Sequence, residues 1–153
     1  MQNMQLSQKE EMFLKEWESQ EKLCEEKYRK AAQDAHDPQL SQLFEQLAND
    51  EKTHADTIMQ MKSGTVPMMG GGQGKPKIPQ PRVSTVSPEQ KQQDSYLCQD
   101  LLGMEKYVAG TYNTGLFEFR DTGMRDALAH IQKEEQEHGK HIYDYMEVNG
   151  MYG

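Results

Sequence analysis

No window of this 153-residue chain approaches the ~18 consecutive apolar residues that a membrane helix needs, so no span is expected. Cysteine is scarce. Cys24 and Cys98 sit far apart inside helical patterns and form no paired framework, which fits a reducing, intracellular (cytoplasmic) compartment. Aliphatic bulk is thin too: Leu, Ile, Val and Phe make up 24 of 153 residues, below the ~20% at which disorder becomes an alternative. Basic charge is outnumbered, with 17 Lys+Arg against 25 Asp+Glu and a net charge of −8. That balance argues against a nucleic-acid backbone or an anionic membrane surface as the main partner. Met1 to Leu6 has no basic stretch followed by an apolar run, so no secretory leader is expected.

What is present redresses part of the deficit. Seven Tyr and 11 Met can fill a core, and a bound metal would add folding energy that the aliphatic residues do not. One domain over 1–153 is the natural organisation at this length. Periodicity then decides between order and disorder.

Ser7-Gln8-Lys9-Glu10 is a capping-box pattern, and the chain stays free of Gly and Pro from there to Asp37. Asp37-Pro38 restarts a helix that runs to about Lys62, with Asp as cap and Pro at the first helical position. From 63 to 86 the composition turns to Gly, Pro and Met, with Gly64, Pro67, Gly70-Gly71-Gly72, Gly74, Pro76, Pro79 and Pro81, which reads as a connection. Ser87-Pro88-Glu89-Gln90 opens a third helix expected to reach about Arg120, locally weakened at Gly110 and Gly115. Asp121-Thr122-Gly123 makes a turn, and a fourth helix extends to about Val148. The expected fold is all-α: a four-helix bundle of two helical hairpins (7–62 and 87–148) with one long crossover.

An offset of 84 lays the second half on the first without a gap. Glu21-Lys22 meets Glu105-Lys106, Tyr28 meets Tyr112, Asp37 meets Asp121, Glu51 meets Glu135, His54 meets His138 and Ile58 meets Ile142. The hairpins therefore read as an internal duplication, whose approximate two-fold axis would bring equivalent residues together.

The apolar stripe of the second helix continues at heptad spacing through 40, 44, 47, 51, 54, 58 and 61, placing Glu51 and His54 on the core face. The fourth helix does the same for Glu135 and His138. Glu21 shares a face with Trp17, Cys24 and Tyr28, and Glu105 with Leu101, Val108 and Tyr112. Counted from their turns at Asp37 and Asp121, all six fall at one level, roughly 21–26 Å along the helices at ~1.5 Å per residue. Four carboxylates gathered there call for cations or protons, because unpaired buried charge is costly. Two divalent cations would neutralise them, with two imidazoles as nitrogen donors, a set suited to iron or manganese. Glu51 and Glu135 are the expected bridges, and Glu21 and Glu105 the expected terminal ligands.

A Glu from each of two helices, plus Glu-x-x-His from each of the other two, resembles the ligand pattern of ferritin-like di-iron and di-manganese carboxylate proteins. By that resemblance Asp50 and Glu134 would support the ligating histidines from behind. Within that superfamily the short acidic chain, the Gly/Pro/Met-rich link and the ending Gly150-Met151-Tyr152-Gly153 resemble the coat F proteins of spore-forming bacteria. The resemblance implies a sporulation-related role and a spore-coat location. It specifies no reaction; handling of oxygen or peroxide is the activity that redox-active iron or manganese would bring, and other coat proteins or a second copy are the candidate partners.

Other readings stay open from the sequence. The six residues could form a metal-free buried polar network in a purely structural coat protein, and iron storage is a third function. Tyr28 and Tyr112, two turns from the Glu residues, read as core aromatics rather than redox residues. Cys24 and Cys98 read as small buried hydrophobes, and His36, His130 and His141 as residues of solvated helix faces or ends.

Overall fold

The computed structural model describes residues 4–68 and 75–152. The glycine run 70–72, Gly74 and the final Gly153 of the expected link and ending lie outside the described residues. Among those described there are four long helices and no strand: α1 (Gln8–Asp34), α2 (Pro38–Lys62), α3 (Pro88–Gly115) and α4 (Thr122–Val148), with a 3-10 turn at Leu116–Glu118.

Each helix begins where its cap chemistry dictates. Ser7 and Ser87 both complete capping boxes, with Glu10 and Gln90 as the reciprocal partners. Asp37 and Asp121 cap α2 and α4 by accepting from the backbone amides of Gln39 and Met124. Such caps contribute about 1 kcal/mol each. α3 ends five residues before Arg120. A Cβ at Gly115 would lie 2.5 Å from the Trp17 ring, so the helix terminus is drawn tight against α1 there.

α1 packs against α2 and α3 against α4, with lighter α1–α3 and α2–α4 contacts that join the two hairpins. The described parts of the crossover, 63–68 and 75–86, lie on the α2/α4 side. Val66 reaches Gly123 at one end, Gln46 bonds the Pro76 carbonyl midway, and Gln39 and Asn149 hold Arg82 and Ser84 at the other. At its start Gly64 has φ +85° and its carbonyl accepts from Met4 N–H, a close approach that leaves no room for a side chain.

The apolar core is in two pieces. One gathers Tyr28, Leu40, Phe44, Leu47, Leu101 and Tyr145, and the other Leu14, Trp17, Ile58, Tyr112, Leu128 and Ile131. Along α2 the first piece ends at Ala48 and the second begins at Ile58. The residues between them are the polar layer.

Candidate metal centre

Glu21, Glu51, His54, Glu105, Glu135 and His138 are each at most 2% exposed and share this layer. Glu21, Glu51, His54 and Glu135 each present one donor atom within 4.8 Å of the others, and so do Glu51, Glu105, Glu135 and His138. Glu51 and Glu135 belong to both groups. The two imidazoles lie nearly parallel, their centroids 5.8 Å apart.

Both histidines turn Nδ1 inward. His54 Nδ1 lies 2.8 Å from Glu51 Oε1 and 3.5 Å from Glu21 Oε1. His138 Nδ1 lies 3.1 Å from Glu105 Oε2 and 3.3 Å from Glu135 Oε1. Their outer Nε2 atoms are held crosswise. Glu134 on α4 takes His54 at 2.7 Å, and Asp50 on α2 takes His138 at 3.1 Å. Each supporting carboxylate precedes its own Glu-x-x-His but orients the histidine of the other hairpin.

The tyrosines follow the same rule. Tyr112 Oη donates to Glu21 Oε2 at 2.5 Å, and Tyr28 Oη donates to Glu105. Their reading as simple core aromatics is therefore incomplete: both are fully buried, yet both hydroxyls end on carboxylates of the central layer. The two turns that separate Tyr from Glu along one helix are bridged by crossing to the neighbouring one. Trp17 stacks on Tyr112 with ring centroids 4.6 Å apart, backing that arm. Its counterpart at the 84-residue offset is Leu101, so the Tyr28 arm has no such stack.

Electrostatics show how crowded the layer is. Burial pushes Glu51 up to about 7, aided by the charge of Glu105 and opposed by hydrogen bonds from His138 and His54. Glu135 is held well above the usual carboxylate range by burial and by Glu51, Glu21 and Glu105. Burial would lower both histidines, yet their carboxylate partners, Glu134 foremost for His54 and Asp50 for His138, raise them well above the ordinary value. Tyr28 and Tyr112 are raised by burial and the adjacent Glu charges. Burial likewise raises Cys24, keeping it a neutral, buried thiol.

Even so the network does not close on itself. Glu21 Oε1, Glu51 Oε2, Glu105 Oε1 and both Glu135 oxygens are buried without a hydrogen-bond partner. Orphaned acceptors of this kind are rare in folded proteins. Oxygen atoms of four carboxylates beside two imidazole nitrogens form a donor set that fits a pair of divalent cations.

A second pair of buried acids was not singled out from the sequence. Glu10 accepts from the backbone amides of Ser7 and Arg120 and from the Arg120 guanidinium. Asp94 accepts from the backbone amides of His36 and Asp37, at 2.8 and 3.0 Å. The offset of 84 relates Glu10 to Asp94 and His36 to Arg120, so a signal was present. Each acid fastens the helix turn of the opposite hairpin. Of the remaining histidines, His130 lies 3.2 Å from Glu134, and His36 bonds Gln93 through its ring.

Residues 93–153 match the family model of the Coat F domain. The match takes in most of α3 and all of α4, and with them Glu105, Glu134, Glu135 and His138. No curated protein and no solved structure matches the chain.

Proposed function

We propose that this chain is a coat F-type, spore coat-associated protein with a ferritin-like four-helix bundle of two duplicated hairpins, whose central layer binds two iron or manganese ions. The observation that carries this reading is the set of five orphaned carboxylate oxygens around two inward-facing Nδ1 atoms. Glu21, Glu51, His54 and Glu135 would hold one ion, and Glu51, Glu105, Glu135 and His138 the other. Two divalent charges balance four carboxylates, which removes the repulsion that otherwise forces protons onto Glu51 and Glu135.

Bound iron or manganese would supply redox chemistry toward oxygen or peroxide. The chain's own residues set the conditions. Glu134 and Asp50 fix ring orientation and direct Nδ1 inward. Tyr112 and Tyr28 hold Glu21 and Glu105 by one oxygen each, leaving the other free. The two apolar clusters close the layer to water from both ends. The Coat F match supports association with the spore coat.

A second reading is a structural coat protein with a metal-free layer. It is favoured by the upward shifts of Glu51, Glu135, His54 and His138, since protons held there ease the crowding of carboxylates without metal. Elemental analysis of protein purified without added metal separates the two. About two equivalents of iron or manganese per chain are expected. Less than ~0.3 equivalents of any transition metal, with no rise in Tm on adding Fe(II) or Mn(II), leaves the structural reading standing. Peroxide consumption and Fe(II) oxidation by the loaded protein then test for a reaction.

A further inference from the structure

We infer that divalent cations reach the central layer through the α2/α4 seam between Asp50 and Glu134, and that Lys75 of the crossover closes this route. The inference rests on the metal-binding reading and concerns how the site is filled.

Among the described residues the layer meets the surface through carboxylates at the α2/α4 edge. On the α1/α3 side it is backed by Cys24, Tyr28, Val108 and Tyr112, each at most 1% exposed. Above and below lie the apolar clusters. On the α2/α4 side, His54 and His138 turn their outer nitrogens to Glu134 and Asp50, whose side chains are 15% and 14% exposed. These two carboxylates touch both the buried imidazoles and the surface. A hydrated cation leaving water exchanges its ligands most readily for carboxylate oxygens, and here they lead directly to inward nitrogens and orphaned oxygens.

Lys75 sits over this edge. Its Nζ donates to Glu134 Oε2 at 2.9 Å and lies 3.6 Å from Asp50 Oδ2, with the side chain 48% exposed. Asp50 and Glu134 are equivalents at the 84-residue offset, so the lysine occupies the point where the pseudo-two-fold axis emerges. His130, also on α4, reaches Glu134 Oε2 at 3.2 Å, but Lys75 lies between Glu134 and Asp50 and so bridges both hairpins. A lysine ammonium is a compact point charge on a flexible stem, held by a partly exposed pair that contributes little to stability. An incoming divalent cation competes for the same two carboxylates and displaces it.

Uptake of Co(II) by metal-free full-length protein, followed by stopped-flow absorbance, tests this. Lys75→Ala should load at least about fivefold faster than the unmodified chain, the factor for removing one unit charge a few ångströms away in water. Its final stoichiometry should be unchanged. Lys75→Arg should stay close to the unmodified rate. Lys77→Ala removes the same charge from an exposed site two residues away and should leave the rate within about a factor of 1.5. Unchanged loading by Lys75→Ala, or equal acceleration by Lys77→Ala, overturns the closure. If the unmodified chain takes up no Co(II) even at equilibrium, the metal-binding reading fails first and this inference with it.

Discussion

Glu134, on α4, grips the outer nitrogen of His54, on α2, at 2.7 Å, and the bond between Asp50 and His138 repeats it with the hairpins exchanged. Every polar link into the central layer from Tyr28, Tyr112, Asp50 and Glu134 crosses from one hairpin to the other in this way. The layer is therefore a joint between the hairpins as well as a candidate centre.

Glu135→Gln should affect the metal-free and metal-supplemented protein in opposite directions. Without metal Glu135 is held protonated among three other carboxylates, so a permanently neutral amide there spares the folded state that proton uptake and should raise stability at neutral pH by about 1–3 kcal/mol. With Mn(II) the gain in Tm shown by the unmodified chain should vanish. Thermal melts with chelator and with Mn(II) check both halves, and an undiminished Mn(II) gain would remove Glu135 from the ligand set.

Metal-free protein should be most stable at mildly acid pH. Glu51, Glu135, His54 and His138 have folded values above their unfolded ones. The folded state therefore holds more protons, and stability falls as pH rises above about 4.5 for the two glutamates and above about 6.5 for the two histidines, by about 1.4 kcal/mol per pH unit for each extra proton held. Glu21 and Glu134 are lowered despite burial, by His54 in both cases, with Tyr112 adding for Glu21 and Lys75 for Glu134. Their contribution is present above about 4.5 and lost as pH drops through the lowered values. Urea unfolding in chelator across this range should show a falling limb from pH 5.5 to 8; a rising limb there contradicts the assignment.

Asp94→Ala and Glu10→Ala should each destabilise by about 1–3 kcal/mol, since each strands backbone amides at the turn of the other hairpin. Loss well under 0.5 kcal/mol in denaturant titrations would show that the turns hold without them.

Helical glycines should divide into two kinds. A Cβ at Gly103 or Gly110 meets nothing within 4 Å, so alanine there should stabilise by about 0.5–1 kcal/mol. Alanine at Gly115 would drive a methyl into Trp17 at 2.5 Å and should destabilise. Tm values of the three variants decide this.

Local chemistry was legible in the chain itself. Ser7, Asp37 and Ser87 mark helix starts because the unpaired amides of a first turn need a nearby side-chain acceptor, which is a matter of a few residues. Asp121-Thr122-Gly123 reads as a turn, yet Asp121 caps α4 directly and Thr122 and Gly123 are already helical. The heptad stripe through Glu51 and His54, and its copy at Glu135 and His138, likewise follows from helical geometry alone. The height of Glu21 and Glu105 needs only a residue count from the turn.

Which residue meets which across helices was decided by tertiary structure. Tyr112 ends on Glu21, His54 on Glu134, and Lys75 between Asp50 and Glu134, because the relative rotation of the hairpins and the path of the crossover set those distances. Neither quantity is encoded in the spacing along one helix. The sequence by itself determined four helices and which face of each carries Glu and His, since periodicity and capping are local. Only the folded arrangement decided that Asp50, Glu134 and Lys75 meet at one edge of the central layer, because that edge exists where two helices come together and a third segment lies over them.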